Sequence, residues 1–119
     1  MTPGQVQWWL DAYVEAWRSY DREAIEALFA EEVRYAYHPY DKPLVGPAAV
    51  ADSWLADRDE PGTWKAAYAP ALVRGESAIA TGETRYSDGS VFSNLFELDF
   101  AGGGRCTRFV EWYMPHPKR

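Results

Sequence analysis

The sequence has 119 residues, with 12 Lys and Arg against 18 Asp and Glu, and a formal net charge of −6. That length suits one domain over residues 1–119, because two separate cores would each bury too little surface. The acidic balance excludes the basic surface needed for sequence-independent binding to nucleic acid or anionic lipid, and no uncharged run approaches the ~20 residues of a membrane span.

The opening Met1-Thr2-Pro3-Gly4-Gln5 has neither the basic nor the apolar stretch of a signal peptide. With Cys106 the single cysteine, no intrachain disulfide can form; a reducing cytoplasm is the expected location. Thr2 to Gln5 instead has the pattern of a capping box with Pro at the first helical position. Val6, Trp9, Leu10, Tyr13, Trp17 and Tyr20 then recur at helical spacing and predict one wide apolar stripe. Asp21 caps a predicted second helix that holds Ala24, Ile25, Leu28 and Phe29, with Glu26, Glu31 and Glu32 on a solvated face. Val33 to Tyr37 alternates and reads as a strand that ends at His38-Pro39. Gly46-Pro47 opens a third helix through Val50, Trp54 and Leu55, which stops in the charged turn 57–62. Four runs follow, 63–73, 77–87, 90–100 and 105–114, separated by hairpin signals; Pro70 marks the first as an edge or bulged strand.

Hairpin turns fix register, and register decides which residues share a face. A two-residue loop at Asp88-Gly89 sets Glu83 opposite Asn94. A two- or four-residue loop at the Gly-rich turn sets Asn94 opposite Glu111, Phe96 opposite Phe109 and Glu97 opposite Arg108. A loop at Gly75-Glu76 brings Tyr68 beside Glu83. One face then carries the large side chains, among them Trp64, Tyr68, Leu72, Ile79, Phe92, Phe96, Phe109 and Tyr113, and must meet the helices. The other carries Ala67, Ala69, Ala71, Ala78, Ala80, Gly82, Thr84, Ser93, Leu95, Cys106, Val110 and Trp112. That small-residue face is flat and apolar, which predicts a homodimer packed across it. Across the bulky face runs a polar row of Tyr68, Glu83, Asn94 and Glu111, with Arg85 near one end. Carboxylates on an aromatic face are costly unless paired or wet.

The order helix, helix, strand, helix and four-stranded meander resembles the NTF2-like superfamily, in its SnoaL-like, ketosteroid-isomerase-like branch. The first-helix stripe ending in Trp17, the segment Ile25 to Val33, Gly46 opening the third helix and the closing run Gly104 to Tyr113 carry the likeness. It implies an α+β cone in which three N-terminal helices pack on a strongly curved mixed sheet. It fixes no reaction, because such folds host isomerases, cyclases, dehydratases, epoxide hydrolases and non-catalytic binders. The ketosteroid-isomerase-like branch has a carboxylate base near the end of the strand after the second helix. This chain has Tyr35-Ala36-Tyr37-His38-Pro39-Tyr40 there, with Asp41 beyond in the turn, so His38 is the candidate substitute base.

The candidate catalytic residues are therefore Glu111, Glu83, Asn94 and His38, and the candidate ligand contacts are Tyr68, Arg85, Trp17, Tyr37, Trp54 and Phe96. Strand spacing of ~4.8 Å would set the Glu83 and Glu111 backbones roughly 10 Å apart, within reach of one small ligand. The plainer readings are a satisfied polar network for the carboxylates, a strand-end hydrogen bond for His38, and core packing for most of the rings. Cys106 reads as an inert buried thiol. His38 and His116 lack zinc-ligand spacing, and phosphate-loop, dinucleotide and nucleophile-elbow motifs are absent, so neither metal nor cofactor is expected. Three functions remain open: a cofactor-free acid–base enzyme acting on a small hydrophobic molecule that bears a carbonyl or hydroxyl, a non-catalytic binder of such a molecule, or a dimeric association module.

Overall fold

The computed structural model describes residues 1–117. Helix α1 (Pro3–Ser19) begins as its capping box dictates: the Thr2 hydroxyl accepts from the Gln5 amide, and the Gln5 side chain accepts from the Thr2 amide. Its stripe of Val6, Trp9, Leu10, Tyr13 and Ala16 is buried, and the helix stops at Tyr20, which adopts a left-handed φ of 50°.

Helix α2 (Arg22–Ala27) is capped by Asp21 but ends before the sequence pattern suggests. Phe29 belongs to strand β1 (Phe29–Ala36) rather than to the helix, and Glu31 and Glu32 are exposed on that strand. Tertiary pairing overrides local propensity here: Phe29 is fully buried against Trp9, Tyr35 and Trp54, and it pairs with Cys106. A short strand β2 (Leu44–Val45), not legible in the sequence, pairs with β1. Helix α3 (Pro47–Ala56) follows Gly46, whose φ of 91° suits glycine.

The meander comprises β3 (Trp64–Arg74), β4 (Ser77–Tyr86), β5 (Val91–Phe100) and β6 (Cys106–Pro115). The six strands form one sheet in the order β2-β1-β6-β5-β4-β3, with β1 parallel to β6 and the other pairs antiparallel. Helices pack against this curved mixed sheet, and an aromatic cluster of Trp9, Tyr13, Phe29, Tyr35, Phe96, Phe100 and Phe109 fills the space between. Tyr35 and Phe109 stack with centroids 4.4 Å apart and planes 3° from parallel.

Register departs from the turn-based expectation in three places, and the first two have opposite consequences. Between β4 and β5 the turn uses three residues, Ser87 to Gly89. The Tyr86 amide donates to the Ser90 carbonyl, the Gly89 amide donates to the Tyr86 carbonyl, and Gly89 takes a φ of 93°. Glu83 consequently faces Ser93, and Gly82 faces Asn94. A one-residue slip reverses faces. Ala78, Ala80, Gly82 and Thr84 therefore point toward the helices, and Ile79, Glu83 and Arg85 point away.

Between β5 and β6 the Gly-rich turn and a bulge near Phe100 together slip the pairing by two residues, so Asn94 faces Tyr113 and Phe96 faces Glu111. An even slip preserves faces, and Asn94, Glu111 and Tyr113 stay on the helix side as predicted. On the far side Arg108 still meets Glu97, diagonally and at 3.1 Å. A bulge at Pro70 in β3 sets Tyr68 opposite Gly82 instead of Glu83 and turns Leu72 outward, 63% exposed. Cys106 is also on the buried side, contrary to the sequence reading of its face; burial pushes its thiol up to about 12, which keeps it protonated at neutral pH.

Candidate functional site

Above the aromatic cluster the helices and sheet do not close. They leave a pocket of about 500 Å³ bounded by α1, α3, the turn after β1 and the inner face of β3 to β6. Of the residues singled out from the sequence, Glu111, Asn94, His38, Tyr68, Trp17, Tyr37 and Trp54 all line it. Three do not. Glu83 and Arg85 lie on the opposite sheet face, bonded to each other at 3.0 Å, because the three-residue turn inverted β4. The proposed pair of Glu83 and Glu111 in one cavity is thus overturned. Phe96 is fully buried in the cluster beneath the pocket, where it packs on Tyr13, Tyr68 and Phe109.

Thr84, which the sequence reading placed on the outer face, takes the position meant for Glu83. Its hydroxyl donates to Asn94 Oδ1 at 2.9 Å and, having one hydrogen, must accept from the Tyr68 hydroxyl at 2.6 Å. The Asn94 amide then donates to Glu111 Oε2 at 2.9 Å. The chain Tyr68, Thr84, Asn94, Glu111 runs in one direction and terminates on a carboxylate. Replacing Thr84 with Val removes the middle of this chain and strands two buried polar groups; it is expected to cost about 2 kcal/mol in urea denaturation, with Thr84→Ser close to wild type.

Glu111 is the chemically distinctive group. Burial raises its pKa from 4.5 to about 7, against the lowering effects of the Asn94 hydrogen bond and of nearby His38. Among the described residues Asn94 is its sole hydrogen-bond partner, and no buried side-chain oxygen or nitrogen lacks a partner. The second carboxyl oxygen is therefore open to the pocket. The same burial raises the phenols of Tyr13, Tyr35, Tyr37 and Tyr68, which all stay protonated near neutral pH.

At the pocket mouth, β1 ends at Ala36 and the chain turns, with the Asp41 amide donating to the His38 carbonyl. This turn swings Asp41 back onto His38 Nδ1 at 2.9 Å, and His38 Nε2 meets the Tyr113 hydroxyl at 2.7 Å. On the far wall the Trp17 indole donates to Asp59 and stacks on Trp64. Among the described residues the lining includes ten aromatic side chains and the carboxyl groups of Asp41, Asp57, Asp59 and Glu111, with no Lys or Arg. Such a wall disfavours an anionic ligand. Among the described residues no group of three or more His, Cys, Asp or Glu is placed to hold a metal ion, and no helix is long and apolar enough to cross a membrane.

Residues 10–114 match the family model of the SnoaL-like domain. The chain belongs to the SnoaL-like family. The fold of this chain recurs in solved structures. A candidate ketosteroid isomerase from Kribbella flavida DSM 17836 superposes with a TM-score of 0.72 at 19% identity, over 98% of this chain and 83% of that one. An NTF2-like protein of unknown function from Burkholderia xenovorans LB400 gives 0.74 at 12% identity, over 98% and 88%. An LEH-like epoxide hydrolase from M. tuberculosis gives 0.66 at 12% identity, over 94% and 84%. At these identities the likeness is one of fold. The sequence matches no curated protein.

Proposed function

We propose that this SnoaL-like protein binds a small hydrophobic molecule, neutral or cationic, that carries a carbonyl or hydroxyl. Glu111 acts on it as a general base in a proton transfer of the isomerase, cyclase or dehydratase type. The observation that carries this reading is the geometry of Glu111, a buried carboxyl held by Asn94 with one oxygen facing a 500 Å³ aromatic pocket, where burial pushes its pKa up to about 7. A base is most effective when its pKa lies near the working pH, since it is then both ionised and basic enough to take a proton. Asn94, itself fixed by Thr84 and Tyr68, orients that carboxyl. Consistent with this reading, the fold neighbours include a candidate isomerase and an epoxide hydrolase.

The test uses 5-nitrobenzisoxazole, which fits an aromatic pocket and opens when a base removes its C3 proton. The rate is expected to rise with pH through about 7 and then level, following the Glu111 carboxylate. Glu111→Gln should lower the rate about 1,000-fold. Saturable binding of the probe without turnover would favour a non-catalytic binder instead.

We also propose a cytoplasmic homodimer joined through the outer sheet face. Leu72, Trp112 and Met114 stand 63%, 48% and 70% exposed, and Leu95 and Val110 lie beside Trp112 on the same side of the sheet. Apolar groups gathered in this way gain by being covered. Sedimentation at micromolar concentration is expected to give twice the 13.5 kDa chain mass; a monomer there contradicts this arrangement.

A further inference from the structure

Asp41 and Tyr113 hold the two nitrogens of His38 from opposite sides, at 2.9 Å from Nδ1 and 2.7 Å from Nε2. An ionised carboxylate only accepts, so Nδ1 carries a hydrogen. In the neutral imidazole Nε2 is then an acceptor, and it takes the hydrogen of the Tyr113 hydroxyl. A second proton, placed on Nε2, reverses that bond. The Tyr113 oxygen becomes the acceptor, and its own hydrogen is released to another partner. All three side chains line the pocket that contains Glu111, and Tyr113 stands two residues along β6 from Glu111 on the same sheet face. Among the described residues the titratable groups facing His38 are Asp41, Tyr113, Tyr40, whose ring stacks on it at 5.0 Å, and Glu111, whose carboxyl responds to its charge.

We propose that Asp41, His38 and Tyr113 form a proton-gated donor. Protonated His38 turns the Tyr113 hydroxyl toward the ligand, where it gives its proton to the oxygen that gains charge as Glu111 removes a proton. This inference rests on Glu111 being the base. In the step, the C–H proton goes to the open Glu111 oxygen and the electron pair passes through the ligand to its oxygen. That oxygen takes the Tyr113 proton, and Tyr113 takes one from His38 Nε2. His38 leaves the step neutral, with Asp41 still holding its Nδ1 hydrogen. Solvent then returns a proton to His38 and removes one from Glu111. Burial holds the Tyr113 phenol above its ordinary range, which brings it to the step protonated.

Two probes with the same base-labile C3–H but different leaving oxygens isolate the donor. In both, the C3 proton goes to the base, the nitrile forms and the N–O bond breaks to a phenoxide. Unsubstituted benzisoxazole releases a far more basic phenoxide than 5-nitrobenzisoxazole and so depends more on a donor. The ratio of the two rates cancels the ionisation of Glu111, which both share. In wild type this ratio, unsubstituted over nitro, is expected to fall as pH rises and His38 loses its proton. Tyr113→Phe should slow the unsubstituted probe roughly 100-fold and the nitro probe less than about tenfold. His38→Leu should leave the ratio flat with pH. If Tyr113→Phe slows both probes equally, or the wild-type ratio ignores pH, the gated donor is overturned while Glu111 stands as the base. If Glu111→Gln retains wild-type rates on both, or wild type accelerates neither, the proposed function fails and this inference fails with it.

Discussion

Glu111→Gln is expected to give a protein that is more stable than wild type above pH 7 while losing its catalysis. The folded pKa of about 7 is raised above the ordinary 4.5, so the fold prefers the protonated carboxyl. Below pH 4.5 the residue is protonated in both folded and unfolded chains and has no pH-linked cost. As pH rises from there to about 7, the unfolded chain releases the proton and the folded one does not, and stability falls. Above pH 7 the loss is complete, at about 3 kcal/mol. Gln keeps the shape and can still accept from the Asn94 amide, but it never ionises. Urea denaturation at pH 4 should therefore find the two proteins alike, and at pH 8 should find the variant more stable by up to about 3 kcal/mol. Equal stability differences at both pH values would show that the carboxyl is not strained by its site. A gain of this kind at the expense of activity is the ordinary trade at a functional position.

The second large effect concerns Gly82. A Cβ there would overlap the Ala67 carbonyl oxygen and come within 2.6 Å of Tyr68 Cδ1 and 2.8 Å of Tyr68 Cα. Backbone cannot yield as a flexible side chain can, and the Tyr68 ring holds the first hydrogen bond of the chain leading to Glu111. Gly82→Ala is expected to cost about 2–3 kcal/mol, or roughly 10 °C in Tm, and to break the contact between Tyr68 and Thr84. A variant that melts like wild type with that contact intact would mean the strand gives way without cost.

The helix starts are legible because their capping signals are local. Thr2 and Gln5 make their own capping box, and the stripe from Val6 to Tyr13 needs no partner to be recognised. The side of the sheet on which each residue lies depends on counting through turns, and there single residues decide. Asp88-Gly89 reads as the centre of a two-residue turn, yet the same pair closes a three-residue turn when Gly takes the left-handed position. That one residue exchanged Glu83 for Thr84 in the pocket. Two signals favoured the observed register. Glu83 and Arg85 are opposite charges two apart, which suits a solvated face. Ala78, Ala80 and Gly82 are small where the inner face must leave room for the Tyr68 ring and the helix above. The β5–β6 pairing was also misplaced, but by two residues, so Asn94 and Glu111 still met. Pro70 revealed a bulge without revealing that it would shift Tyr68 to Gly82. Asp41 reads as a turn residue, and the return of its side chain onto His38 depends on three-dimensional closure that no local pattern encodes.

The central claim is that the Glu111 carboxyl titrates near neutrality inside an aromatic pocket. Carbon-13 NMR of the glutamate side-chain carboxyls, with Glu111 assigned by its loss in Glu111→Gln, measures this directly. The account predicts one resonance with a midpoint near pH 7 that is absent from the variant. A Glu111 midpoint in the ordinary range near 4.5 would contradict it.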